Sequence, residues 1–154
     1  MQCYIVDIDG TIADLLHREK YLEERPKNWD MFFRMAGDDL PFPHMRLLLT
    51  HLVAGQSGIA PANKTYIVYV SGRPERCRFD TVTWIHRHGF PTPNTLYMRA
   101  DGDYRDDSII KKELLDQLLA DGYEPIMAFD DRDRVVKMWR ENGIPCAQVR
   151  EGNF

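Results

Sequence analysis

Tyr4-Ile5-Val6-Asp7-Ile8-Asp9-Gly10-Thr11 is an apolar run that stops abruptly in two carboxylates, a glycine and a hydroxyl. A segment this continuously apolar reads as a strand buried on both faces of a parallel sheet. In open α/β sheets, ligands sit beyond the carboxyl ends of the strands, where the strand order reverses. Asp7 and Asp9 fall at that edge, and on extended backbone a period of two aims both side chains the same way. Two like charges 4 Å apart repel by about 4 kcal/mol at an effective dielectric near 20, so the pair invites a cation or a proton. Taken alone, the same letters also describe a polar strand end followed by a glycine turn.

Outward from this stretch, β-branched and aromatic runs at 65–70, 95–98, 125–129 and 144–149 predict four more strands. Helical spacing predicts helices between them. One covers 26–36, with Trp29, Phe32, Phe33 and Ala36 on one face, and another covers 42–54, with Met45, Leu48, Leu49 and Leu52 as its stripe. Further helices are expected over 74–88, over 108–121 with Ser108 or Asp107 as cap, and over 133–142. The aromatic face of 26–36 is expected to pack as core or cap and not to stack bases. The charged segment 12–24 reads as a surface helix that brings Arg18 close to the carboxylate edge. Residues 56–63 read as a loop, and 151–154 as a tail. Alternating strands and helices predict an α/β, Rossmann-like three-layer fold with a five-stranded parallel sheet.

Length and composition bound the function. The chain has 154 residues, 44% of them hydrophobic, which suits one domain with a real core. Its net charge of -4 gives no overall basic field, so any nucleic-acid contact depends on local arginines such as Arg76, Arg78, Arg99 and Arg105. Cys3, Cys77 and Cys146 are few and widely spaced, as expected of reduced thiols and not of a disulfide framework. No apolar run is long enough to span a bilayer and no signal segment opens the chain, so no membrane association and a cytoplasmic location are expected.

The other strand ends carry chemistry too. Val70 is followed by Ser71-Gly72-Arg73-Pro74. A hydroxyl, a glycine and a helix start with Pro74 in its first turn would offer backbone N–H groups to an anion, and Arg73 adds a planar donor fork. Lys111 falls in the first turn of a helix, where a cation opposes the dipole unless carboxylates lie nearby. The fourth strand ends in Asp130-Asp131. Each feature has a bland reading, as a solvated face or a capped helix, but their joint occurrence at successive strand ends suits phosphoryl transfer assisted by a hard cation, Mg²⁺.

These residues, in this order, resemble the four motifs of the haloacid dehalogenase superfamily of phosphatases. Residues 102–107, Lys111, 130–140 and 148–154 are further similar to the 3′-phosphatase domain of phage-type polynucleotide kinase-phosphatases. The resemblance implies a single domain over 1–154, with a helical cap inserted over 14–64. It implies Asp7 as nucleophile and Asp9 as general acid and base whose backbone carbonyl binds Mg²⁺. Lys111 and Ser71 would hold the phosphoryl oxygens, together with Thr11 and Gly72; Asp7, Asp130 and Asp131 would supply metal carboxylates. Arg18 and Arg73 would contact the anion, and Asp107 would orient its neighbours.

Three activities compete on the sequence. Removal of 3′-phosphates from polynucleotide ends leads, with a separate kinase or ligase as possible pathway partner. A mononucleotide phosphatase differs only in cap and rim. A receiver-like module that merely carries an aspartyl-phosphate is disfavoured by Asp9, which rapid hydrolysis requires and a signalling domain does better without.

Overall fold

A computed structural model describes residues 1–56, 58–60 and 63–152. In chain order it contains β1 (Gln2–Val6), β2 (Ala13–Asp14), α1 (Lys20–Glu23), α2 (Trp29–Arg34), β3 (Leu40–Pro41) and α3 (Pro43–Ala54). Then follow β4 (Tyr66–Pro74), α4 (Arg78–Arg87), β5 (Thr95–Arg99), α5 (Asp107–Ala120), β6 (Glu124–Asp130), α6 (Asp133–Glu141) and β7 (Cys146–Gln148). Single 3₁₀ turns occupy Leu16–Arg18, Met35–Asp38 and Glu75–Cys77.

β1 lies at the centre of a five-stranded sheet of order β5-β4-β1-β6-β7, and every pairing in it is parallel. The chain first builds outward on one side of β1 and then crosses to the other, so the strand order reverses at β1, just ahead of Asp7 and Asp9. Both faces of β1 are covered. Cys3 and Ile5 pack with Leu115 and Leu118 of α5 and with Val135 and Trp139 of α6. On the opposite face Val6 packs with Met45 and Leu49 of α3 and with Trp84 and Ile85 of α4. This is the expected three-layer α/β fold. Cys3, Cys77 and Cys146 are all free thiols, and two of them are buried.

Several local expectations change. Segment 12–24 is not a surface helix: Ile12 and Ala13 are fully buried, and β2 pairs antiparallel with β3. Only a 3₁₀ turn and the four-residue α1 follow, because Arg18 is drawn inside by buried carboxylates and cannot lie on a solvated face. β4 does not stop at Val70 but runs to Pro74 through a register shift after Ser71, so α4 begins at Arg78. The helix N-terminus expected beside Ser71 is therefore absent from that position. Asp106, neither Asp107 nor Ser108, caps α5, its carboxylate accepting from the Ser108 N–H. The 56–63 loop and the 151–154 tail fall partly outside the described residues. Among the described residues, no helix is long and apolar enough to cross a membrane.

Candidate active site

Beyond the end of β1, Asp7 is 4% exposed and its carboxylate is held from two sides. Thr11 Oγ1 donates to its Oδ2 at 2.9 Å, and Lys111 Nζ donates to its Oδ1 at 2.7 Å. Lys111 rises from the second turn of α5 and also donates to Asp130 Oδ2 at 2.8 Å. The carboxylates thus account for a lysine that the helix dipole alone would disfavour. Burial works against the ammonium, but Asp130, Asp7 and Asp107 outweigh it and hold Lys111 protonated. Burial also pushes Asp7 well above the ordinary carboxylate range; Lys111 opposes this, while Asp130 and Asp131 add to it.

Asp130 is saturated with donors. The Asp131 and Arg132 N–H groups reach its Oδ1 at 3.0 and 3.2 Å, and Trp139 Nε1 joins Lys111 on Oδ2 at 3.1 Å. Asp131 accepts from Arg150 Nε at 3.1 Å. Gly10 makes room for it: at φ +85°, a Cβ there would stand 2.1 Å from Asp131 Oδ2. Carboxylate oxygens of Asp7, Asp130 and Asp131 lie within 4.8 Å of one another. Such an all-oxygen, all-acidic donor set fits a hard divalent cation of the Mg²⁺ type.

The Asp9 carboxylate is not part of that set. Two residues on, it faces Arg73, whose Nε lies 3.1 Å from each of its oxygens and whose Nη2 lies 2.6 Å from Oδ1; Arg18 Nη2 also donates to Oδ1. Burial would raise its pKa, but the two guanidinium groups win and hold Asp9 far below the usual range. Both arginines are anchored from behind by Asp39, a fully buried carboxylate. It accepts from Arg18 Nε and Nη2 at 2.7 Å each and from Arg73 Nη2 at 3.1 Å. His17 Nε2 lies 2.9 Å from its Oδ1. Burial pushes Asp39 upward and Arg18 restrains the shift.

Ser71 is buried in β4, and its Oγ accepts from the Arg73 N–H at 3.2 Å. Gly72 is required by close approach, since a Cβ there would meet Asp107 Oδ1 at 2.2 Å. Arg99 joins these parts, donating to the Gly72 carbonyl and to Asp107 Oδ1. Asp107 stands 3.6 Å from Lys111 and from Arg132. Burial opposes its charge, but Lys111, Arg132 and Arg99 keep its pKa low.

Asp7, Asp9, Gly72, Asp107, Lys111 and Asp131 line a cleft of about 560 Å³. Thr11, Arg18, Ser71, Arg73 and Asp130 do not line it; Thr11, Arg18, Arg73 and Asp130 hydrogen-bond to lining groups, and Ser71 acts one step further back through the Arg73 N–H. Leu15, Leu22, Trp29 and Phe33 are the apolar lining supplied by residues 15–33, and Arg76, Tyr104, Arg132 and Arg134 also line the cleft. Of the four arginines expected at the rim, Arg76, Arg99 and Arg105 line the cleft and Arg78 does not; Arg78 pairs with Glu75, Arg105 with Asp103 and Glu113, and Arg99 with Asp107 and backbone carbonyls. Arg76 bridges Asp30 and Asp101. The sequence reading missed Asp39, which lies in no motif, and the roles of Trp139 and Arg150. The one signal for Asp39 was charge arithmetic: two arginines aimed at one carboxylate call for a second.

Similar folds occur in a class C acid phosphatase from Bacillus anthracis (TM-score 0.62, 14% identity, 97% of this chain and 68% of that one). A haloacid dehalogenase-like hydrolase from Bacteroides fragilis gives TM-score 0.62 at 17% identity over 99% of this chain and 89% of that one. Fold and site together define a phosphatase of the haloacid dehalogenase superfamily. A family model described as the polynucleotide kinase PNKP phosphatase domain matches residues 1–154, and the chain belongs to that family. A chain in the structure of a Pnkp1/Rnl/Hen1 RNA repair complex is similar at TM-score 0.79 and 31% identity, over 99% of this chain and 43% of that one. An Autographa californica nuclear polyhedrosis virus protein named for polynucleotide kinase and RNA ligase activities is 28% identical over 141 residues, 92% of this chain and 18% of that protein. The chain therefore spans less than half the length of these relatives.

Proposed function

We propose that the protein is a Mg²⁺-dependent phosphomonoesterase that removes 3′-phosphates from polynucleotide ends through an aspartyl-phosphate on Asp7. The observation that carries the reading is the Asp7 carboxylate, fixed by Lys111 and Thr11 at the floor of a cleft with Asp9 beside it, in a chain matched end to end by the PNKP phosphatase family. Asp7 attacks phosphorus, the P–O ester bond breaks, and the leaving oxygen takes a proton through Asp9. Asp9 then removes a proton from the water that hydrolyses the aspartyl-phosphate, a role suited to a carboxyl held ionised by Arg18 and Arg73. The proton for the first half arrives with the substrate monoanion, since the second phosphate pKa is about 6. Lys111 and Gly72, which line the cleft, receive the phosphoryl oxygens, and Ser71 supports them from behind by holding the Arg73 N–H.

Asp7, Asp131 and Asp130 would hold the cation, with the Asp9 backbone carbonyl. When bound it would neutralise phosphoryl charge as a Lewis acid. Asp131 carries fewer competing donors than Asp130, so it is the stronger candidate for direct contact. Within the 14–64 insertion we assign the lid to residues 15–39, a reading supported by the packing of Met45 and Leu49 of α3 against the sheet. A cytoplasmic location and a kinase or ligase partner, linked in sequence or separate, fit an end-healing role.

The mononucleotide reading gains from the internal pairing of Arg99 and Arg105, which removes two of the cations expected to follow a nucleic-acid backbone. Phosphate release with Mg²⁺ from a 3′-phosphorylated oligonucleotide, its 5′-phosphorylated counterpart and free mononucleotides separates the two, with Asp7→Asn as blank. Selective release from the 3′-oligonucleotide is expected. Preference for mononucleotides overturns the polynucleotide assignment.

A further inference from the structure

The chain has three tryptophans, and two are accounted for by packing. Trp84 and Trp139 are at most 1% exposed and donate their indole N–H to the Asp39 carbonyl and to Asp130. Trp29 is 38% exposed and lines the cleft. It is held in place: Phe33 stacks on it at 5.9 Å between centroids and 20° between planes, Phe32 meets it edge-on at 5.8 Å, and the flexible Lys27 side chain, which a stacking base would displace, sets its Nζ 5.6 Å from the ring centroid. The Asn28 carboxamide caps α2 by accepting from the Met31 N–H, fixing the start of the helix that carries all three rings. Phe32 in turn supports the reacting groups, with the Arg18 guanidinium 4.2 Å from its centroid and Arg18 bonded to Asp9. These contacts place the Trp29 ring no more than about 10 Å from the Arg18 guanidinium carbon. Arg18 is bonded to Asp9, and Asp9, Asp7 and Trp29 line the same cleft.

A single exposed tryptophan is ordinary on a protein surface. An exposed tryptophan braced by two rings, in the wall of the cleft that also holds Asp7 and Lys111, has a defined use. We infer that the Trp29 face of the cleft is a nucleobase subsite, on which the base of the phosphate-bearing terminal nucleotide stacks. The inference rests on the phosphomonoesterase reading of the same cleft and adds its substrate class. Stacking on an aromatic face tolerates any base, because every base has a π-face, so little sequence preference follows.

The test compares two oligonucleotides that end in a 3′-phosphate, one with an intact terminal nucleotide and one whose terminal sugar lacks its base. Wild-type KM is expected to be roughly five- to a hundredfold higher for the baseless end, the span of one base–aromatic stack. Trp29→Ala brings that ratio close to one, and Trp29→Phe gives an intermediate ratio while keeping an aromatic ring in the fold. Acrylamide quenching of tryptophan emission, to which the two buried indoles contribute little, is reduced on adding the dephosphorylated intact oligonucleotide and unchanged by the baseless one. Equal KM for both ends in the wild type, or a Trp29→Ala ratio that stays at the wild-type value, overturns the subsite. If free nucleotides are hydrolysed and oligonucleotides are not, the polynucleotide reading fails. The subsite is then decided by the same KM ratio between a nucleoside monophosphate and ribose phosphate.

Discussion

Asp39 and Asp9 grip the same two arginines from opposite sides, which fixes how their losses combine. Arg73 Nη2 is 2.6 Å from Asp9 Oδ1 and 3.1 Å from Asp39 Oδ2, so those oxygens stand within about 6 Å of each other. Removing either carboxylate strands buried guanidinium charge, and breaking such a pair costs about 3–5 kcal/mol. Asp39→Asn keeps the shape but turns a donor toward donors, so a loss near 3 kcal/mol is expected, or about 6–12 °C in Tm for a chain of this size. Each single loss also removes the repulsion between Asp9 and Asp39, on the order of 3 kcal/mol at that separation and an effective dielectric near 20. Asp9→Asn/Asp39→Asn is therefore destabilised by more than the sum of its parts, by about 1–3 kcal/mol. Urea unfolding of the four proteins at neutral pH measures this without reference to catalysis. An additive or sub-additive double variant would falsify the shared-clamp account, as would an Asp39→Asn midpoint equal to wild type.

Lys111→Gln leaves Asp7, Asp130 and Asp131 without their internal cation; phosphate release falls at least a hundredfold, and Mg²⁺ raises Tm more than in wild type, as thermal scans with and without chelator show. A smaller Mg²⁺ shift in the variant contradicts a common site. Because the folded-state pKa of Asp7 is raised, its protonation favours the metal-free fold below the usual value of 3.8, and that contribution is lost as pH rises through the raised value. Mg²⁺ held by Asp7 would take the place of this proton, so its Tm shift should grow as pH rises above the usual carboxylate range; a shift independent of pH counts against Asp7 as a ligand. Gly72→Ala pushes Asp107 from its place beside Lys111 and Arg99, so kcat should drop about tenfold or more with about 1–3 kcal/mol lost in stability; unaltered kcat would show that Asp107 does not orient the site.

Continuous apolar runs and glycine stops made the strand order and the layers legible, because burial on both sheet faces leaves a local signature. The Asp7, Lys111, Asp130 and Asp131 cluster was legible for a similar reason: each residue follows directly from a strand end or helix start whose position the pattern fixes. Segment 12–24 was not, since its conformation is set by Asp9 and Asp39 pulling Arg18 inward, a long-range electrostatic demand that no local periodicity carries. The same holds for Trp139, whose helical spacing predicts burial but cannot show that its N–H reaches Asp130. Trp29 shares a face with Phe32 by spacing, yet Phe32 is buried and Trp29 opens to the cleft, a distinction that depends on where β2 and β3 anchor the segment.

Asp7 and Asp9, two residues apart on one strand end, acquire opposite protonation tendencies from the elements that converge on them. Asp7 lies among other carboxylates, with one lysine from α5 shared between it and Asp130, and burial drives its pKa up. Asp9 meets two guanidinium groups, one from the turn after β2 and one from the end of β4, and is driven down. Neighbouring titratable groups pushed apart in this way mark a division of acid–base labour. The division also orders events at the site. On the proposed reading, Asp7, Asp130 and Asp131 would hold a cation that offsets the excess negative charge around Asp7, while Asp9 already has the ionisation that the hydrolytic half-reaction would need. Asp39 makes the second half of this arrangement possible, because without it the two arginines would hold excess positive charge beside Asp9 with no buried counterion to fix them.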